Sequence, residues 1–80
     1  MAYESTYVGK RVFVEEQLKP MLMAMSDAVL DVIYYHAPGI ESVIIQHKNP
    51  DKNIEINVAG DSISALVNDV IRAYFERIGY

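Results

Sequence analysis

The sequence has no cysteine. No disulfide can staple the chain, and no thiolate can hold a metal or attack a substrate. Basic residues are few: seven Lys and Arg against eleven Asp and Glu, for a formal net charge of −4. The seven are scattered as Lys10, Arg11, Lys19, Lys48, Lys52, Arg72 and Arg77. A protein that neutralises phosphates clusters its cations, so this balance argues against a nucleic-acid binder. Histidine is restricted to His36 and His47, with no HxxxH, HxH or HxxE spacing, so no metal centre is expected. A long apolar run is also missing. The greasiest stretch, MLMAMSDAVLDVIYY (21–35), is interrupted by Asp27 and Asp31 and falls short of the ~20 apolar residues that cross a bilayer. Glu4, Lys10, Arg11 and Glu15 leave no room for the apolar core of a signal peptide. The expectation is a soluble, cytoplasmic chain with no membrane association.

What is present is apolar material, 51% of 80 residues. A single domain spanning 1–80 is expected. A chain of this size buries only about 60–65% of its unfolded surface, so its core is marginal and a partner surface would help it.

The clearest periodicity lies at the C-terminal end. Ile63, Leu66, Val67, Val70, Ile71, Tyr74, Phe75 and Ile78 follow the i, i+3, i+4, i+7 series of an amphipathic helix, opened by Asp61 or Ser62 as cap and stopped by Gly79. Before it, Glu41–His47 and Asn53–Ala59 read as strands. Val43 and Ile45 lie on one face of the first with Ser42, Ile44 and Gln46 on the other, and Ile54, Ile56 and Val58 point inward from the second with Glu55 and Asn57 outward, so one face is apolar and the other mostly polar. This is the pattern of an antiparallel hairpin covered on one side. Asn49-Pro50-Asp51 supplies its turn.

Leu18, Leu22, Met25, Val29, Val32 and Ile33 predict a first helix running to about Tyr35, starting near Lys19 or kinked at Pro20, and ended by His36-Ala37-Pro38-Gly39. Residues 1–14 fit a further strand or the arm of a longer helix, with the strand preferred because Tyr7-Val8 and Val12-Phe13-Val14 have strand-like composition. The expected fold is α+β, a two-layer (β)αββα domain whose small antiparallel sheet carries two helices on one face.

No constellation of catalytic residues stands out, so an enzyme is not expected, and no cofactor is implied. Asp27 and Asp31, four apart on the expected helix, read as a wet helix face rather than an acid–base pair. Gly60, Asp61 and Ser62 open a helix after a strand and form a possible anion or ligand site, although capping explains each of them and Asp61 would repel phosphate. His47, Lys48 and Lys52 are the possible nucleic-acid contacts, at the hairpin tip and diluted by Asp51.

Once the core stripe is assigned, Met23, Leu30 and Tyr34 remain as a second apolar stripe on the expected first helix. That surplus leads to the main functional expectation, a non-enzymatic protein-interaction module that self-associates through helix one, with a dimer as the simplest state and another protein as a further partner. Two alternatives rest largely on other residues. One is a weak nucleic-acid binder working through the hairpin tip. The other is a small ligand binder whose site forms between subunits from Tyr34, Tyr35, His36 or Asp61.

Overall fold

In the computed structural model, residues 6–79 are described. The chain begins with one unbroken helical segment, made of α1 (Tyr7–Phe13), a wider π-type stretch (Val14–Leu18) and α2 (Lys19–Met25), together called the N-terminal helix. Thr6 caps it, its side chain accepting the Gly9 N–H at 3.2 Å. The π-type stretch answers the problem set by Pro20. A proline inside a helix removes one hydrogen bond, and its ring strikes the carbonyl four residues back. Here the turn ahead of it widens, and the Lys19 N–H donates to the Val14 carbonyl five residues back. The backbone stays helical across the junction, with Val14 at φ −61°, ψ −46° and Lys19 at φ −58°, ψ −52°.

The first fourteen residues therefore do not form a strand where they are described. Tyr7–Phe13 is helical and presents Lys10 inward, followed by Val14. The part of that expectation that falls on residues 1–5 lies outside the described residues. The helix also does not reach Tyr35. It ends at Met25, where Ser26 turns extended (φ −153°, ψ 127°) and its hydroxyl accepts the Ala28 N–H.

Residues Val29–Ala37 instead form β1, which pairs antiparallel with β2 (Ile40–His47), which in turn pairs antiparallel with β3 (Ile54–Asn57). The sheet order is β1-β2-β3. A register irregularity between Val29 and Asp31 gives this strand the sequence pattern of a helix. One extra residue at a bulge shifts the alternation, so Val29 and Val32 both point into the core although they are three apart. An i, i+3 spacing of buried valines in a bulged strand imitates a helical stripe.

Pro38-Gly39 is a two-residue hairpin turn rather than a helix stop, since Ala37 pairs with Ile40. Gly39 sits at φ +78°, a region that only glycine enters freely. The second hairpin turns through a short 3₁₀ segment, Pro50–Lys52, whose Asn49 side chain accepts the Asp51 N–H at 3.1 Å. The last helix, α3 (Ile63–Tyr74), is capped by the Ser62 hydroxyl, which accepts the Ala65 N–H at 3.2 Å, and it continues as a wider turn over Phe75–Gly79.

The architecture is a small α+β domain, a three-stranded antiparallel sheet with two helical segments, as the sequence pattern leads one to expect. The core lies between the layers. Val14, Leu18 and Leu22 enter it from the N-terminal helix, and Leu66, Val70 and Tyr74 from α3. Val32, Tyr34, Val43, Ile45, Ile54 and Ile56 come up from the sheet. The register lines these up across the strands, Val32 to Ile45 to Ile54 and Tyr34 to Val43 to Ile56.

Candidate functional site

At the β1–β2 turn end, the core face of the sheet changes from apolar to polar. Tyr34 and His36 of β1 and Glu41 of β2 share that face by register, with His36 opposite Glu41. The N-terminal helix lays Tyr7, Lys10 and Arg11 over them. Lys10 is 3% exposed, and its ammonium lies 2.9 Å from Glu41 Oε2 and 3.4 Å from the Val58 carbonyl. The Tyr34 hydroxyl donates to the same Glu41 oxygen. The Arg11 guanidinium stands 5.8 Å from the Tyr34 ring centroid, and the Tyr7 ring stacks on His36 at 4.5 Å.

Burial pushes the Glu41 carboxyl up, but hydrogen bonds from Tyr34 and Lys10, with the Lys10 charge, outweigh it and hold its pKa below the ordinary value. Burial, and then the bond to Glu41, push the Tyr34 hydroxyl well above its ordinary value. It stays a donor across the physiological range. Both donors converge on one oxygen of the ionised carboxylate, Glu41 Oε2, and tie the helix to the strand. The network thus works as a fastener between helix and sheet rather than as a reacting centre.

A second acidic feature lies at the start of α3. The neighbouring Asp69 carboxyl, and then burial, raise the Asp61 pKa, and Asp61 Oδ2 is buried with no hydrogen-bond partner among the described residues. This bears on the possible anion site at Gly60, Asp61 and Ser62. Gly60 serves the turn at φ +79°, and Ser62 is committed to the helix cap. Asp61 and Asp69 present two carboxyls where an anion would have to sit.

The hairpin tip is similarly occupied. His47 accepts the Asn49 N–H on Nδ1 at 2.9 Å, and its own backbone N–H donates to Asn53 Oδ1 at 2.6 Å. The Lys48 N–H donates to the Ala28 carbonyl. His47 therefore holds the turn, while the Lys48 and Lys52 side chains remain exposed. Asp27 and Asp31 do not share a helix face. Asp31 lies in β1, 2.9 Å from the Lys19 ammonium, and that hydrogen bond holds its carboxyl below the ordinary range. Among the described residues no group of three or more His, Cys, Asp or Glu is arranged to hold a metal ion. No helix among them is long and apolar enough to cross a membrane.

The stripe of Met23, Leu30 and Tyr34 is not a stripe. Met23 is exposed on α2, Leu30 is exposed at the bulge of β1, and Tyr34 is buried on the core face. With residues 29–35 extended instead of helical, spacings of seven and four no longer place side chains together. The surplus apolar surface is elsewhere, on the side of the sheet away from the helices. There Ile33 pairs with Ile44, Tyr35 with Ser42, and Ala37 with Ile40. Tyr35 is 47% exposed, Ile40 51% and Leu30 52%, while Ile33 and Ile44 are half-buried between them. Toward β3 this face turns polar, with Glu55 and Asn57 opposite Ile44 and Ser42, and Glu55 accepting the Ser42 hydroxyl at 2.9 Å. The alternation of Ser42, Ile44 and Gln46 already points outward in the sequence. Ile33 and Tyr35 were hidden by the helical reading of their segment.

The chain matches no protein-family model, and comparison with curated proteins and with solved structures gives no match.

Proposed function

We propose that this protein is a small non-enzymatic interaction module that self-associates through the open face of its sheet, most simply as a two-fold dimer. The observation that carries the reading is the uncovered apolar half of that face, Ile33, Tyr35, Ile40 and Ile44, with Leu30 at its border. A two-layer domain of this size leaves one sheet face without a cover, and an exposed face of large apolar side chains marks an interaction surface.

Size supports a second copy as the occupant. The molecule extends 31 × 28 × 17 Å between Cα extremes, so its two broad faces are wide relative to its thickness. A standard stable interface takes on the order of 800 Å² per partner, so the polar half of the face is drawn in together with the apolar half. Two such sheets stack about 10 Å apart with inner side chains interdigitated. The polar Glu55 and Asn57 then fall at the rim, where charged and amide groups keep their water. Each large side chain withdrawn from water contributes about 1.5–3 kcal/mol before the cost of association is subtracted.

Sedimentation tests the reading. The unmodified chain should sediment as more than one copy at micromolar concentration, and Tyr35→Lys should shift it to monomer while leaving its circular dichroism unchanged. A clean monomer of the unmodified chain in the tens of micromolar would refute it.

A further inference from the structure

A different surface, the outer edge of β1, carries an inference independent of the sheet face. Sheet edges are usually short or blunted, because their free main-chain groups template further pairing. The two edges here differ: β3 is four residues long and β1 is nine. The direction of β1's outward groups follows from the register. The Glu41 carbonyl accepts the Val58 N–H at 2.9 Å, so the odd-numbered residues of β2 bond toward β3 and the even-numbered ones toward β1. Their β1 partners are Ile33 and Tyr35, opposite Ile44 and Ser42. Val32, Tyr34 and His36 therefore turn their N–H and C=O groups outward. The Val32 N–H is held by its neighbour, the Asp31 carboxylate, at 2.8 Å. The outward groups of Tyr34 and His36 face an edge that no strand occupies among the described residues.

Beside this edge runs a groove of about 640 Å³ between β1 and the N-terminal helix. Val32, Ile33 and Tyr34 form one wall, and Pro20 and Met23 give an apolar floor on the other. Its charged lining is Glu15, Asp31 and Lys19, and Lys19 is already paired to Asp31. The remaining charge is the exposed carboxylate of Glu15.

We propose that this groove receives an extended segment of another protein, added as a fourth strand against Tyr34 and His36 and carrying a Lys or Arg side chain to Glu15. Main-chain pairing at an open edge supplies affinity in such docking, and side chains at alternate positions supply selectivity. A second copy is the poorer occupant. Lys19 reaches Asp31 around the edge, so the N-terminal helix lies alongside it. Two β1 edges paired antiparallel about 4.8 Å apart would set both helices on the same side of the seam, in the space of a single helix about 10 Å wide. A lone strand brings no helix with it. Asp31 sets the limit of docking by occupying the Val32 N–H.

The test uses the full chain, ¹⁵N-labelled, and a blocked heptapeptide, Thr-Val-Lys-Val-Lys-Val-Thr. The amide resonances of Tyr34 and His36 should shift and saturate below about 1 mM peptide. The same peptide N-methylated at alternate amides should leave them unmoved. Replacing its Lys by Glu should weaken binding about tenfold or more, and Glu15→Lys, at an exposed position, should reverse that preference. Absence of shifts at Tyr34 and His36 at about 1 mM would overturn the proposal. So would equal binding of the N-methylated peptide. Protection of those two amides that grows with protein concentration and without peptide would assign the edge to a second copy, which also overturns it.

Discussion

The two helical segments are attached to the same sheet in different ways. α3 is held by apolar contact, through Leu66, Val70 and Tyr74. The N-terminal helix has a matching apolar row in Val14, Leu18 and Leu22, but it also carries Lys10 into the interior to meet Glu41 and the Val58 carbonyl. Apolar contact is non-directional and tolerates small shifts along the helix axis. A buried ion pair with a third donor, Tyr34, does not. It fixes how far the N-terminal helix slides along β1 and which turn of it faces the strand. The difference separates adhesion from alignment, and buried charge is better understood here as serving the second.

The largest effect expected on this comparison comes from the apolar side. Val70→Asp sets an unpaired carboxylate among core side chains, which costs several kcal/mol, comparable to the whole stability of a domain this small. Loss of the cooperative thermal transition checks it. A soluble, cooperatively melting Val70→Asp protein would contradict the two-layer core.

The ionic side comes next. Lys10→Ala strands the Glu41 charge and should cost about 3–5 kcal/mol by chemical denaturation. The triple variant Lys10→Met, Glu41→Leu, Tyr34→Phe removes both charges and the third donor and should recover most of that loss. If it unfolds as readily as Lys10→Ala, the pair contributes adhesion after all and the contrast between the helices collapses.

Acid and base should then act on the two attachments with opposite sign. The Glu41 pKa is lowered in the folded chain, so its contribution is complete above the ordinary glutamate value, about 4.3, and is lost as pH falls through its folded value. The Asp61 pKa is raised, chiefly by the neighbouring Asp69 carboxyl. Its contribution is complete below the ordinary aspartate value and is lost as pH rises through the raised one. Asp61→Asn should accordingly raise the melting temperature slightly at neutral pH and flatten its decline between the acidic range and neutrality. An unchanged profile would mean that neither burial nor the Asp69 carboxyl perturbs Asp61.

The smallest effect is expected at the second hairpin, which neither attachment involves. Pro50→Ala should lower stability by less than about 1 kcal/mol, mostly through a less restricted unfolded chain. A larger loss in urea would show that the turn bears on helix docking.

The same contrast explains which parts of the molecule the sequence discloses. α3 and the β2–β3 hairpin follow from uninterrupted periodicity, and Val43, Ile45, Ile54, Ile56 and Val58 face the core as their alternation indicates. β1 was obscured by its bulge, which gives Val29 and Val32 a helical spacing. The N-terminal helix was obscured by β-branched and aromatic residues and by Pro20, whose cost is absorbed in a π-type turn that no local propensity announces. Lys10 belongs to a residue type found almost always on the surface, and its burial depends on Glu41 and Val58, distant in sequence. The interface residues were displaced with the helix that was to carry them. Met23 and Leu30 do remain exposed, but the apolar face itself is built from Ile33, Tyr35, Ile40 and Ile44.

The sequential order β1-β2-β3 has a kinetic consequence. Each strand pairs with its neighbour in the chain, and the first pairing closes through only Pro38-Gly39. Such a meander can zip from its turns in microseconds, with little loop entropy lost at each step. The Lys10 bond to the Val58 carbonyl is another matter, since it joins residues 48 apart in sequence and cannot form until the sheet and the approach to α3 already exist. The N-terminal helix should therefore lock last on folding and let go first on unfolding. Its alignment contact becomes a brake on the unfolding rate, with little influence on how fast the sheet forms.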